Sequence, residues 1–566
     1  MSTYLWTKIK RLIPLRLEWK RVFLIFSVVF FLVYQLGLSA ILFRNRTGNI
    51  PVGFDDLYSY MYGIKKVVDY GSVVPPTVYL YPEAHLDYIS YNALFGGLAI
   101  LIKQSPEWVV YWSFFFGKIL LLLVLAAWLK SLKLPTIERG VCLLLLGSFV
   151  GDGLIHGFFW VVPSFWAVLL FFLLLYLIKD FRVPYLLLLF LSLVFVNMHP
   201  LAKILPIVIL IFIILNTLIE KHMSKPLVKL TSVLLLSVLL TETLGCNLAG
   251  CRFKQPFDEV KILFNRNNSI GTRGKDYMPS VSLIPKSIGR GLPSGFVAKS
   301  DLLSMHTNRW LNHLLLDSTS RLPGFRGIWE SYISKFILVY PLVIFLPYWL
   351  YLIWRSEYKQ VTYWFFATLI ALVTISKYQD SYRLLILLWP LTLIVFGLGV
   401  VRSFCLQSES NNALFKLFNW FGIISLGVYW IYQSVYGFVF TSNLAKHNDY
   451  SWDVVNCPKY ILNETKISDY NIFFNSFSGL SAFAYYGLDQ RHLTKSDYLL
   501  NNIEDVKERY PIIFLVTENF PFEGNSDTVY IPKIETKMEP LKKYYYTYES
   551  KNCGYFQVNK YQRINF

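Results

Sequence analysis

Charge is scarce in this chain: charged residues make up 16% of its 566 residues, fewer than the aromatics at 18%. Soluble globular domains carry roughly a quarter of their residues as charges, so an ordinary soluble fold is excluded. Six cysteines are too few for a disulfide scaffold in a chain of this length. There is no internal repeat and no low-complexity run, which removes solenoids and compositional linkers. P-loop, Rossmann, HExxH and GxSxG patterns are all missing, so nucleotide hydrolysis on the inner face has no support. A removable leader is not expected either. The first apolar run, Val22 to Leu42, is long enough to span a bilayer and follows Lys8, Lys10, Arg11, Arg16, Lys20 and Arg21, which anchor a cytoplasmic N-terminus.

What is present is apolar surface: 55% hydrophobic residues and a mean hydropathy of +0.43. These values predict an α-helical polytopic membrane protein. Apolar runs of the length a bilayer core needs number about eleven, at 22–42, 108–128, 141–156, 160–178, 184–198, 201–219, 230–248, 336–354, 361–376, 384–402 and 418–440. A further run, Asn92 to Ile102, is too short to cross and is expected to lie on the outer surface as an interfacial helix. This parity puts Lys130, Lys133, Arg139, Lys179, Arg182, Lys221, Lys225, Lys229, Arg355, Lys359, Arg402 and Lys416 on the side of the N-terminus, as the positive-inside rule requires. The net charge of +18 is spread over loops, so it points to anionic lipid or a phosphate-bearing lipid substrate and not to nucleic acid.

The same parity divides the chain into a transmembrane domain at 1–440, with a first outer loop at 43–107 and a long outer loop at 249–335, and a soluble outer α/β domain at 441–566. In the latter, Asn471–Phe474 and Pro511–Val516 read as strands, and Tyr544–Tyr548 with Tyr555–Val558 as a hairpin around Glu549–Gly554. Cys246, Cys251, Cys457 and Cys553 fall at or beyond the outer face. Pairing of Cys246 with Cys251 and of Cys457 with Cys553 stands against four unpaired thiols. Lys118 and Glu242 lie inside expected spans, where isolated charges are costly, and a structural pair between them is expected.

Polar groups at span ends gather on the outer face. The foremost is Gly53-Phe54-Asp55-Asp56-Leu57, two adjacent carboxylates just beyond the first span. Neighbouring residues on a helix diverge by about 100°, so one is expected to do chemistry while the other orients it or binds metal. A plain polar cap on the helical stretch Leu57–Val68 is the competing reading. Lys203 and Arg383, with His199 and Tyr382 beside them, are candidates to hold a phosphate; each cation is equally able to snorkel to headgroups. Asp152 and His156 lie four apart and, with Asp56, form a candidate Mn²⁺ or Mg²⁺ site, against a hydrogen-bonded Asp–His pair or a capped helix end.

The acidic pair after the first span, the short apolar run after Tyr81-Pro82-Glu83, about ten further spans and an outer C-terminal domain resemble the GT-C superfamily of glycosyltransferases. The resemblance is to enzymes of the protein mannosyltransferase and aminoarabinose transferase type. Asp55-Asp56 matches the first-loop acidic motif, and His199-Pro200-Leu201-Ala202-Lys203 falls where such proteins often place a lysine. Tyr81-Pro82-Glu83-Ala84-His85 stands where relatives often have a Pro-Pro pair. The resemblance implies transfer of a sugar from a polyprenyl-phosphate donor to a lipid, glycan or protein acceptor on the outer face, with Asp55 as base and Asp56 as its support. Short inner loops and the absence of targeting tails lean towards a bacterial inner membrane with a periplasmic C-terminal domain, against an organelle membrane with a luminal one. Two other classes compete: a lipid-linked glycan flippase, which should carry charge along a transmembrane path or show repeat symmetry, and an O-antigen polymerase or ligase, for which the basic outer loop from Arg252 to Arg326 speaks.

Overall fold

The computed structural model describes residues 13–43, 55–71, 88–150, 158–180, 183–221, 224–241, 341–374, 384–409, 412–446, 457, 459–461, 470–474, 493–495, 508, 510–518, 542–553 and 556–564. Among them run thirteen helices: α1 Ile13–Leu42, α2 Asp55–Tyr70, α3 Ile89–Ile102, α4 Pro106–Ser131, α5 Thr136–Gly147, α6 Pro163–Asp180, α7 Tyr185–Val196, α8 Pro200–Glu220, α9 Lys225–Leu240, α10 Pro341–Trp354, α11 Lys359–Thr374, α12 Leu385–Glu409 and α13 Ala413–Lys446. Each of the eleven apolar runs falls on a helix. Five stretches are long and apolar enough to cross a membrane: Trp19–Leu42, Pro106–Ser131, Leu201–Glu220, Leu385–Leu406 and Ala413–Val439. Others are shorter than the sequence implied. Among its described residues the run at 141–156 is helical only as far as Gly147, the end of the 12-residue α5, which is about 18 Å long at 1.5 Å per residue.

The chain divides into two compact units. The first comprises Met1–Ala40, Ser113–Asn268 and Ser320–Phe440. Its helices pack where glycine removes a side chain. A Cβ on Gly399 of α12 would lie 2.3 Å from Trp349 Cβ of α10, and one on Gly437 of α13 would lie 2.2 Å from the Tyr34 hydroxyl of α1. That hydroxyl donates to the Ser434 carbonyl at 2.7 Å. α12 is buried along Leu384–Leu398 with almost no break. Polar ties close the helix ends. Glu220 accepts a hydrogen bond from Tyr363 at 2.5 Å and pairs with Lys359, while Arg402 pairs with Glu357 at 3.2 Å and lies over the Tyr358 ring.

Lys118 is fully buried in α4, and its described partners all come from α1 and the Phe159 ring. Nζ donates to the Gln35 carbonyl at 2.8 Å and the Ser39 hydroxyl at 2.5 Å, and it lies 5.3 Å from the ring centroid. Gln35 in turn donates to the Gly147 carbonyl at 2.7 Å. The expected partner, Glu242, lies outside the described residues.

The second unit comprises Ile41–Trp112, Ser269–Thr319 and Thr441–Phe566. Its sheet has the order β2-β1-β3-β5-β4, from β1 Tyr470–Phe474, β2 Leu493–Lys495, β3 Ile512–Glu518, β4 Tyr545–Cys553 and β5 Phe556–Arg563. β1 pairs parallel with β2 and β3, and β5 pairs antiparallel with β3 and β4. Ile513, Phe514, Leu515 and Val516 of β3 are all buried, so both faces of the central strand are covered, as a near-continuous apolar run implies. The hairpin expectation is corrected in extent: Glu549–Cys553 belong to β4 and not to the turn, with a register shift between Thr547 and Glu549. Cys457 is buried, while the side chain of its expected partner Cys553 lies outside the described residues. Cys246 and Cys251 lie outside the described residues.

Candidate functional site

Asp55 and Asp56 are the first two residues of α2. A carboxylate there meets the unpaired N–H groups and positive end of the helix, so the position suits an anionic side chain whether it caps or reacts. The two Cα–Cβ directions diverge by about 100°. Their side chains lie outside the described set.

What fixes this helix start is the packing of α2 on α3. Tyr60, Met61, Tyr62, Ile64 and Val67 form the buried face of α2, while Lys65 pairs with Asp69 at 2.9 Å on its exposed face. A Cβ added to Gly63 would fall 2.5 Å from the Asn92 amide, and one added to Gly96 would fall 2.5 Å from Val67 Cβ. Two glycines, one on each helix, therefore let the backbones approach. Beneath α2 sits an aromatic cluster: Tyr60 contacts Tyr88 and Tyr91 with ring centroids 5.0 and 5.7 Å apart, and Tyr91 meets Phe95 at 4.6 Å. Burial pushes the Tyr91 phenol up, so it stays neutral. Among the described residues the Tyr91 hydroxyl and the Asn92 carbonyl oxygen are buried without a hydrogen-bond partner.

The second candidate group opens α8. His199 is its N-cap: Nδ1 accepts the Leu201 N–H at 2.9 Å, and Pro200 follows at the first helical position. With Nδ1 accepting, the neutral ring carries its proton on Nε2. His199 is only 2% exposed, so its described task is to hold the helix start. Lys203 lies in the first turns of α8 and is half-buried. Arg383 and Tyr382 immediately precede α12 and, like Asp152 and His156, lie outside the described residues. Among the described residues no group of three His, Cys, Asp or Glu side chains is placed to hold a metal.

Sequence reasoning missed the polar knot around Lys118 and the Asn92–Gly63 contact. The signal for the first was present: Gln35 and Ser39 are polar residues four apart on one face of an apolar span. The second had none, since an asparagine and a glycine far apart in sequence announce nothing until two helices pair.

No family model matches the chain, and no curated protein does. Among solved structures, the crystal structure of ArnT from Cupriavidus metallidurans bound to undecaprenyl phosphate aligns at 12% identity and a TM-score of 0.36, covering 96% of this chain and 98% of that one. The apo state of the same protein aligns at 11% identity and a TM-score of 0.37, with the same coverage. A likeness of this size fixes neither a residue's role nor a substrate.

Proposed function

We propose that the protein is a membrane glycosyltransferase that moves a sugar from a polyprenyl-phosphate carrier to a lipid, glycan or protein acceptor on the outer face of the membrane. The observation that carries the reading is the acidic pair opening α2, just beyond the first membrane-spanning helix. In the reaction, Asp55 takes the proton of the acceptor hydroxyl or amine. The freed lone pair attacks the anomeric carbon, the anomeric C–O bond to phosphate breaks, and polyprenyl phosphate leaves with the bonding electrons. Asp56 supports Asp55, while Lys203 and Arg383, with Tyr382 and His199 beside them, receive the charge that accumulates on the phosphate. In this reading Asp56, Asp152 and His156 would hold a divalent cation, Mn²⁺ or Mg²⁺.

General-base assistance is worth about 10²- to 10⁴-fold, so Asp55→Asn is expected to lose turnover on that scale while the protein stays folded. The measurement is release of free polyprenyl phosphate from a panel of carrier-linked sugars by purified protein in lipid. If neither protein turns over any donor and lipid-linked glycan crosses the bilayer instead, the transport reading replaces this one. The polymerase or ligase reading, favoured by the basic loop at 249–335, predicts turnover that survives Asp55→Asn.

A further inference from the structure

The sheet ends on an open strand. In the order β2-β1-β3-β5-β4 the strand β4 has one neighbour, and its residues from Tyr546 to Asn552 are all exposed, whereas Ile513, Phe514, Leu515 and Val516 of β3 are buried.

Register sorts the side chains of the β4–β5 hairpin. Tyr546 stands opposite Gln562, Glu549 opposite Lys560 and Lys551 opposite Val558. Val558, Lys560 and Gln562 alternate along β5 and so share one face of the sheet, and Tyr546, Glu549 and Lys551 share it with them. Tyr548 is the extra residue at the register shift between Thr547 and Glu549, and a bulge of this kind re-aims a side chain. Here it brings Tyr548 onto the same face. Its ring centroid lies 6.4 Å from that of Tyr546, with the two planes at 61°, and the Lys560 ammonium lies 4.9 Å from it. Further along, the Lys551 ammonium stands 4.1 Å from the Tyr460 ring centroid.

Charge and composition say what such a face suits. The hairpin is basic: over 542–564, Lys542, Lys543, Lys551, Lys560 and Arg563 stand against one carboxylate, Glu549. Among the described residues from Thr441 onward, Tyr546 at 46% and Tyr548 at 58% are the only exposed large apolar side chains. A membrane surface is met by Leu, Phe or Trp that enter the acyl boundary, and the face presents none. Two tilted phenol rings leave an open corner with an apolar floor and a polar rim. A pyranose has the matching chemistry: its C–H face lies on a ring, while its hydroxyls meet the Gln562 amide and the tyrosine hydroxyls. The two lysines add charge-assisted partners for a carboxylate or phosphate on the sugar.

We propose that this face of the hairpin, formed by Tyr546, Tyr548, Lys551, Lys560 and Gln562, is a binding site for an anionic saccharide. It rests on the proposed function only for the side of the membrane, since a sheet on the outer face is where such glycans are met.

The test uses the full chain in phosphatidylcholine nanodiscs and reads binding of immobilised oligosaccharides by biolayer interferometry. The anionic probes are a galacturonic acid hexamer and a phosphorylated mannose pentamer; the controls are neutral maltohexaose and hexaglutamate, which carries carboxylates without sugar rings. Expected is binding of at least one anionic saccharide well above both controls. Tyr546→Ala combined with Tyr548→Ala is expected to weaken it about ten-fold, as loss of two ring contacts implies, and Lys551→Gln combined with Lys560→Gln to weaken it and flatten its salt dependence. All four positions lie on the open face, and an unchanged thermal unfolding curve checks that the sheet is intact. Binding of neither anionic probe overturns the proposal, as does binding that both double variants retain. Equal binding of hexaglutamate reduces the face to a charge patch, and equal binding of maltohexaose removes the role of the lysines; each also overturns it. So does loss of saccharide selectivity in favour of phosphatidylglycerol vesicles, which assigns the face to a lipid surface. No readout depends on turnover, so failure here and failure of the transferase reading are distinguishable.

Discussion

At the scale of single residues, two buried groups make opposite demands. The Lys118 amine is fully buried, and its described partners are a carbonyl, a hydroxyl and a ring face, none of them charged. Removing a buried amine whose described partners are all uncharged relieves its desolvation cost, whereas removing one of its acceptors leaves it worse off. Lys118→Met is therefore expected to leave thermal stability unchanged or raised, and Ser39→Ala to lower it by about 1–3 kcal/mol, both read by thermal unfolding in detergent. A large loss for Lys118→Met would mean that an anion neutralises the ammonium. In the sheet, Tyr545 is 1% exposed and donates its hydroxyl to the Tyr510 carbonyl at 2.6 Å. Burial pushes its phenol from the ordinary 10.0 up to about 12, against a smaller opposing pull from Arg563. Below pH 10 both folded and unfolded chains hold the proton and the bond contributes in full. As pH rises from 10 towards 12 only the unfolded chain ionises, so stability falls across that window. Tyr545→Phe is expected to flatten that part of the sheet's pH-stability curve, followed by near-UV circular dichroism.

At the scale of elements, adjacent glycines on α3 predict opposite signs. A Cβ at Gly96 would stand 2.5 Å from Val67 Cβ, a branched side chain on a rigid helix, while a Cβ at Gly97 meets nothing within 4 Å. Gly96→Ala is expected to cost about 1–3 kcal/mol through overpacking and to pull α2, with its acidic pair, out of place. Gly97→Ala is expected to gain up to about 1 kcal/mol of helix propensity. Thermal unfolding and donor turnover, measured on both variants, check this; equal behaviour would mean that α2 and α3 do not pack as described. Elements of this kind explain what was legible beforehand. Hydropathy alone located a helix at every long apolar run and the strands at Asn471–Phe474 and Pro511–Val516, because burial of uniform apolar surface leaves a one-dimensional trace. Helix ends were less legible. α5 stops at Gly147, where Gln35 of a distant helix takes the Gly147 carbonyl. β4 runs on through Glu549, Ser550 and Lys551, polar residues that strand patterns under-weight and that pairing with β5 recruits. At the candidate site, the sequence pointed to the start of α2 and the start of α8, but not to His199 as a cap or to the glycine contacts that hold α2 on α3.

At the scale of the molecule, the proposed function requires Asp55 to face away from the side on which the chain begins, and one cysteine offers a direct reading of that. Gly140 and Gly147 of α5 meet Phe23 and Phe30–Phe31 of α1 in the same order, so the two helices run parallel and α5 begins level with the start of the α1 span. Arg402 of α12 lies over Tyr358, and the charges of Glu357 and Glu138 reach the same phenol, which burial and these carboxylates hold raised. Glu138 is in the first turn of α5. Gly397 of α12 packs against Val141 and Cys142 of α5, and the Cys142 thiol donates to the Ile394 carbonyl, so the Arg402 end of α12 lies at the α5 start, and with it Cys405, an exposed thiol three residues further on. The basic residues Lys130, Lys133, Arg139, Arg355, Lys359 and Arg402 belong to the same end, which the positive-inside rule assigns to the cytoplasm. A membrane-impermeant maleimide is therefore expected to modify Cys405 in inverted vesicles and to spare it in right-side-out ones, scored on the Cys405 peptide by mass spectrometry. Cys142 is buried in the same unit and serves as the internal control that the fold is intact. Labelling of Cys405 from the outside would invert the whole bundle, put the acidic pair on the cytoplasmic face and end the proposal of transfer at the outer surface, whatever the fate of Asp55→Asn.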